Sequence, residues 1–368
     1  MSQNHPTLMF AGGGTGGHLF PALAIADEVR NLNPQSNIVF VGTKDRIEAR
    51  VVPQKGYKLH TIWTAGVQRK LSLRNFLVPV KLLVSIVQSF LVIGEAKPGV
   101  VIGTGGYVCG PVLFAAWLRG IPTVIHESNS LPGITTKLLA GRVTKVFLGL
   151  EDALQHLKRR DNVEVVGTPI RKGLDEARRA DGLSTFGLEP DKTTLLVFGG
   201  SLGAVSLNNA VLSMMEIFER SGTQIIWQTG SSQYEQIQQQ VVGKRIGWIG
   251  PFIDRMEMAY AAADVVLCRA GAITIAELTR VGKPAILVPY PFAAEDHQTR
   301  NAQSLVRAGA AEMVPDAEVP TRLQTILMNI VNNKAIRESM AAAGKRLNRP
   351  DAGKIVAHYV LRLATQTS

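Results

Sequence analysis

Five glycines and a threonine lead directly into an imidazole in GGGTGGH, Gly12 to His18. The preceding PTLMFA reads as a buried strand and the following PALAIADEVR as the start of a helix, so the glycines occupy a strand-to-helix turn. Such a turn offers unpaired N–H groups at the positive end of a helix, which suits an anion. A neutral His18 at its lip could accept a proton from a hydroxyl or donate a hydrogen bond near neutral pH. Gly12, Gly14 and Gly17 also satisfy G-x-G-x-x-G, so a nicotinamide cofactor is one reading of the turn.

Two further turns argue for a different ligand. GTGGYVCGP (103–111) and VFGGSLGA (197–204) repeat the device behind other strand-like runs. Three glycine-rich strand ends favour a large phosphate-bearing ligand surface over one pyrophosphate clasp. The second strand ends VFVGTKD, with Gly42 and Thr43 where a dinucleotide site wants an acidic residue, although Asp45 follows closely. Polar groups collect after other strands: His126 and Glu127 in HESNSLPG, and Arg269 and Glu277 in CRAGAITIAEL. Facing a ligand, the Glu277 carboxylate can accept hydrogen bonds from two adjacent ribose hydroxyls. In VPYPFAAEDHQTRNA, the residues Glu295, Asp296, His297, Gln298 and Asn301 form a set suited to sugar hydroxyls, partly explained by a helix cap. The two cysteines, Cys109 and Cys268, lie far apart and make no metal cluster, so no obligatory metal is expected.

Positioning these residues falls to alternating short strands and helices. NIVFVG (37–42), PGVVIG (98–103), IPTVIH (121–126), TKVFLG (144–149), TTLLVFGG (193–200), TQIIWQT (223–229), ADVVLC (263–268) and PAILVP (284–289) read as strands of parallel sheets covered by helices. Turn residues and charges interrupt the rhythm over 168–192, which places a domain join there. At 368 residues, with 46% hydrophobic and 19% charged, the chain suits two domains and not disorder. The N-terminus lacks the pattern of a secretion signal, which points to the cytoplasm.

The formal charge of +11 makes nucleic acid, acidic metabolites and anionic membranes the candidate partners. Residues 1–168 hold 18 Lys or Arg against 10 Asp or Glu. No zinc-finger spacing or aromatic-basic RNA signature accompanies them, so nucleic acid is not expected. Between Leu59 and Gly94 there is no acidic residue, while Arg69, Lys70, Arg74 and Lys81 interleave with Leu73, Phe76 and Leu77. This pattern predicts peripheral contact of 69–81 with an anionic leaflet. The following run to Gly94 is interrupted by Lys81 and Gln88, and reads as a crossover helix whose Leu83, Ile86, Val87 and Phe90 are buried against the sheet.

In order, GGGTGGHLFPALAIA, GTGGYVCGP, HESNSLPG, VVGTPIR, VFGGSLGA, CRAGAITIAEL and EDHQTRNA resemble the MurG family of bacterial glycosyltransferases across roughly residues 7 to 350. The resemblance implies an α/β chain of GT-B architecture, with two Rossmann-like doubly wound domains facing across a cleft. It implies inverting transfer of GlcNAc from UDP-GlcNAc to the C4 hydroxyl of MurNAc in lipid I (undecaprenyl-pyrophosphoryl-MurNAc-pentapeptide), giving lipid II and UDP. Residues 1–168 would meet the membrane-borne acceptor, 169–349 would hold UDP-GlcNAc, and 350–368 would form a helix packing back on the first domain. His18 and Glu127 would be catalytic, with Thr15, Gly16, Gly17, Tyr107 and Asn129 lining the acceptor side. On the donor side Arg171, Gly200 and Ser201 would approach the diphosphate, Ile253 the uracil, and Glu277 the ribose. Arg269 would support that site, and Gln298 and Asn301 would lie by the GlcNAc hydroxyls. No cofactor beyond the donor substrate is implied. The implied partners are UDP-GlcNAc, lipid I, the anionic inner leaflet and other cell-wall synthesis proteins, at the cytoplasmic face of the bacterial inner membrane. Another GT-B nucleotide-sugar enzyme, such as a UDP-GlcNAc 2-epimerase, is the alternative.

Overall fold

The computed structural model describes residues 5–64, 78–200, 203–244 and 246–366. Ser201 and, of the expected membrane-contact residues, Arg69, Lys70, Leu73, Arg74, Phe76 and Leu77 lie outside the described residues. The chain divides into two compact units, Met1–Ile170 with Arg349–Ser368, and Arg171–Asn348.

The first unit is built on a sheet of β1 (Thr7–Gly12), β2 (Asn37–Gly42), β3 (Lys58–Thr61), β4 (Val100–Gly105), β5 (Thr123–Glu127), β6 (Lys145–Leu148) and β7 (Val163–Val165). Its spatial order is β3-β2-β1-β4-β5-β6-β7, with every pairing parallel. Near-continuous Val, Ile, Leu and Phe runs follow from burial on both faces. On one face Leu8, Phe10 and Ile102 meet the helix Gly16–Leu32 and the C-terminal helix Ala352–Gln366; on the other, Met9, Val101 and Ile125 meet the helix Cys109–Leu118.

The second unit repeats the plan with β8 (Thr194–Phe198), β9 (Gln224–Gln228), β10 (Gly247–Gly250), β11 (Val265–Cys268), β12 (Ala285–Leu287) and β13 (Ala311–Met313), in the parallel order β10-β9-β8-β11-β12-β13. In each sheet the winding direction reverses beside the first strand, between β1 and β4 and between β8 and β11. Open α/β sheets bind ligands beyond the strand C-termini at such a reversal.

The helix Val78–Ala96 departs from the sequence expectation. Leu83 (66% exposed), Val87 (60%) and Leu91 (69%) face outward at i, i+4 and i+8 spacing, while Ser85, Ser89 and Ile93 turn inward. The serines close on their own helix, Ser85 Oγ donating to Leu82 O and Ser89 Oγ to Ser85 O, so they are buried without an external partner. A helix apolar on all sides gives no periodic cue to which stripe is covered. Among the described residues, no helix is long and apolar enough to cross a membrane.

Candidate active site

At the first reversal, two glycine turns interlock. A Cβ on Gly106 (φ 84°) would lie 2.4 Å from Gly13 O, and one on Gly105 (φ 107°) 2.5 Å from His18 Cδ2. The imidazole thus occupies the space that any side chain at 105 would need. Thr104 Oγ1 donates to His18 O at 2.8 Å, fastening the first turn of the helix Gly16–Leu32 to the end of β4. His18 Nδ1 lies 3.3 Å from Gly13 O and 3.2 Å from Thr15 Oγ1. Donation from Nδ1–H to Gly13 O leaves the lone pair on Nε2, the tautomer a base needs. Thr15 is exposed, Gly16 and Gly17 supply the first helical turn, and the exposed Tyr107 side chain stands in the second glycine turn.

A residue absent from the sequence reading shapes this turn. The buried Glu48 carboxylate accepts hydrogen bonds from Gly14 N (2.9 Å), Thr43 N (3.0 Å) and Thr43 Oγ1 (2.7 Å). The carboxylate sits under Gly13 and already engages the Gly14 N–H, which leaves the N–H groups of the following helical turn as the ones suited to an anion.

Glu127 is reassigned by its surroundings. Oε1 accepts from Asn129 N and Asn129 Nδ2, and Oε2 from Gly133 N and Thr136 Oγ1. With two hydrogen bonds accepted at each oxygen, all four lone-pair sites of this buried carboxylate are filled, so it organises the loop 128–136 and has none left for a substrate proton. Asn129 is positioned through the same pairing.

His126 is wholly buried, with Nε2 2.9 Å from Gly167 O, and burial pushes its pKa down. The unfolded chain therefore takes up a proton below about pH 6.5 that the native state resists, and stability falls as pH drops, by up to about 1.4 kcal/mol per unit for one such group. Urea midpoints between pH 7.5 and 5.5 should fall more steeply for the native protein than for His126→Gln; parallel slopes would contradict this.

At the second reversal, Glu277 projects from the helix Ala272–Val281 and is buried. Tyr260 OH donates to its Oε2 at 3.0 Å and Arg171 Nε to its Oε1 at 3.2 Å. Burial pushes the carboxyl pKa up, against the opposing Arg171 charge and these hydrogen bonds. Tyr260 is itself held edge-on against Phe198 at the end of β8. Arg171 is the half-exposed partner of this cluster.

Gly200 (φ 90°) is exposed in the turn after β8, and its carbonyl accepts from Gly203 N at 3.0 Å. Gly203 passes so close to Thr229 O that a Cβ would lie 2.0 Å away. The helix Val205–Ser213 then begins, with Ser206 Oγ donating to Asp316 Oδ1. Arg269 is committed inside this framework: Nη1 donates to Val288 O, Pro289 O and Asp316 Oδ1, and Nη2 to Ser206 Oγ. It braces the start of that helix.

The remaining donor-side residues divide. Gln298 Oε1 accepts from Tyr290 N, in a loop where Glu295 and Asp296 both adopt positive φ, a conformation costly for non-glycine residues. Asn301 is 0% exposed and donates to Ala270 O at 3.3 Å, an internal contact at the start of its helix. Ile253 is also buried, its N–H donating to Gln228 Oε1. Beside it the half-exposed Phe252 offers an aromatic face that sequence reading overlooked. Among the described residues no group of three or more His, Cys, Asp or Glu is placed to hold a metal ion.

Known proteins resemble this chain in sequence and fold. The chain is 42% identical over 99% of its length, and 98% of the relative's, to a Salinibacter ruber protein named UDP-N-acetylglucosamine--N-acetylmuramyl-(pentapeptide) pyrophosphoryl-undecaprenol N-acetylglucosamine transferase. The crystal structure of Acinetobacter baumannii MurG aligns with a TM-score of 0.76 at 29% identity, covering 97% of this chain and 99% of that one. A UDP-GlcNAc 2-epimerase from Neisseria meningitidis shares the fold alone, at 15% identity and a TM-score of 0.66 over 97% of this chain and all of the other. The two parallel sheets are those of the α/β GT-B fold. Residues 8–148 match the glycosyltransferase family 28 N-terminal domain and 194–355 the family 28 C-terminal domain, and the chain belongs to glycosyltransferase family 28.

Proposed function

We propose that this chain transfers GlcNAc from UDP-GlcNAc to the MurNAc C4 hydroxyl of undecaprenyl-pyrophosphoryl-MurNAc-pentapeptide, with inversion. The observation that carries the reading is end-to-end similarity to relatives named for this transfer, in a chain whose two sheet reversals hold His18 and Glu277. His18 Nε2 takes the C4 hydroxyl proton as that oxygen attacks the anomeric carbon from the side opposite UDP. The bond from carbon to the β-phosphate oxygen breaks, and its electron pair leaves with UDP. Charge growing on the diphosphate is met by N–H groups of the Gly200 turn and the start of the helix Val205–Ser213, with Arg171 swinging from Glu277 toward it. Glu277 holds the ribose hydroxyls and Gln298 the sugar. One displacement turns the α-linked donor into a β-linked product without a covalent intermediate.

UDP release measured with donor, lipid-linked acceptor, or both separates this from the epimerase alternative. Release requiring both is the expected result. Isomerisation of UDP-GlcNAc without acceptor would replace the reading.

Access to a lipid-borne acceptor comes from the outward stripe Leu83, Val87 and Leu91, while on another side of the same helix Lys81 stands 5.1 Å over the Trp63 ring. We place this apolar face on the cytoplasmic leaflet of the bacterial inner membrane. Val87→Asp with Leu91→Asp, at positions too exposed to disturb the core, should weaken sedimentation with anionic vesicles by about tenfold or more. Undiminished binding would contradict the assignment.

A further inference from the structure

Gln228 ends β9, the strand lying between β8 and β10. The chain leaving β8 forms the Gly200 turn, and the chain leaving β10 forms the loop carrying Phe252 and Ile253. One buried amide side chain spans both: Nε2 donates to Gly200 O at 2.8 Å, and Oε1 accepts from Ile253 N at 2.9 Å. These partners fix the orientation of the amide, since exchanging O and N would set carbonyl against carbonyl and donor against donor. The donor reading gives the first loop the diphosphate and the second the base.

We propose that Gln228 is a positioning residue that couples recognition of the two halves of a nucleoside diphosphate. It touches neither half; it holds both loops to one amide plane, so ordering either loop around its part of the ligand orders the other. Coupling of this kind is reciprocal, each half strengthening the other by the same factor. The inference rests on the reading that this sheet reversal holds a UDP-sugar.

Titration calorimetry with UDP, uridine and inorganic pyrophosphate tests it. In the native protein, saturating pyrophosphate should tighten uridine binding by about fivefold or more. Gln228→Glu keeps the acceptor for Ile253 N but, when ionised, has no proton for Gly200 O. At pH 8 its coupling should fall to within about twofold of none, with uridine alone near its native affinity; at pH 5.5 the protonated carboxyl should donate again and restore coupling. Gln228→Met should stay uncoupled at both pH values. Independent binding of the two fragments to the native protein, or coupling unchanged in both variants, overturns the proposal and leaves the donor site standing. Failure of the native protein to bind UDP overturns the donor reading and the coupling with it.

Discussion

Replacing His18 with alanine should lower kcat by about a hundredfold to ten-thousandfold, the usual range for a lost general base, while the KM for UDP-GlcNAc stays within about threefold. The separation follows from location. His18 belongs to the first unit, packed against Gly105 and hydrogen-bonded to Gly13, whereas the residues proposed for the donor belong to the second. Loss of the ring opens space beside Gly105 without uncovering the core, because His18 is only partly buried. His18→Gln retains a hydrogen-bonding group but no comparable basicity, so it should be nearly as slow as alanine. Steady-state kinetics with both substrates varied distinguishes the roles. Unchanged kcat with a raised KM for the lipid-linked acceptor would make His18 a positioning residue.

Glu277→Ala should weaken UDP binding by about a hundredfold or more, from the loss of two hydrogen bonds between ribose hydroxyls and a charged acceptor. A second consequence is structural, because Tyr260 loses its buried acceptor, at a cost of about 1–3 kcal/mol. The Arg171 contact adds little to that cost, since its side chain is 53% exposed and water can replace the carboxylate. Glu277→Gln keeps the shape and one acceptor oxygen, and should fall between alanine and the native protein. Comparing UDP with its 2′,3′-dideoxy analogue isolates the contact. The analogue should bind the native protein weakly and lose little more on Glu277→Ala. Equal losses for UDP and the analogue would contradict a ribose contact.

The sequence made the sheet interiors legible, because runs such as NIVFVG and TLLVF are apolar on both faces and bounded by glycine. The edge strands β3 (KLHT), β7 (VEV), β10 (GWIG) and β13 (AEM) escaped it, being three or four residues long and in part exposed or polar. Glycine turns, His18 and Glu277 stood out because their chemistry is local to a strand end. Glu48 and Gln228 did not, since their importance lies in partners 34, 25 and 28 residues away. The same limit bears on Glu127, expected to be catalytic, and on Asn301, expected beside the sugar: a polar residue at a strand end or helix start looks alike whether it meets a substrate or its own loop. Helical periodicity also failed for Val78–Ala96, where serines, not leucines, face inward.

Incubating the native protein with UDP-GlcNAc and a short-chain analogue of lipid I, then determining the product's linkage by NMR, tests the central claim most directly. One GlcNAc joined β-1,4 to MurNAc, with one UDP released for each, is the expected result. An α-linkage, a different acceptor hydroxyl, or UDP release without a disaccharide would contradict it.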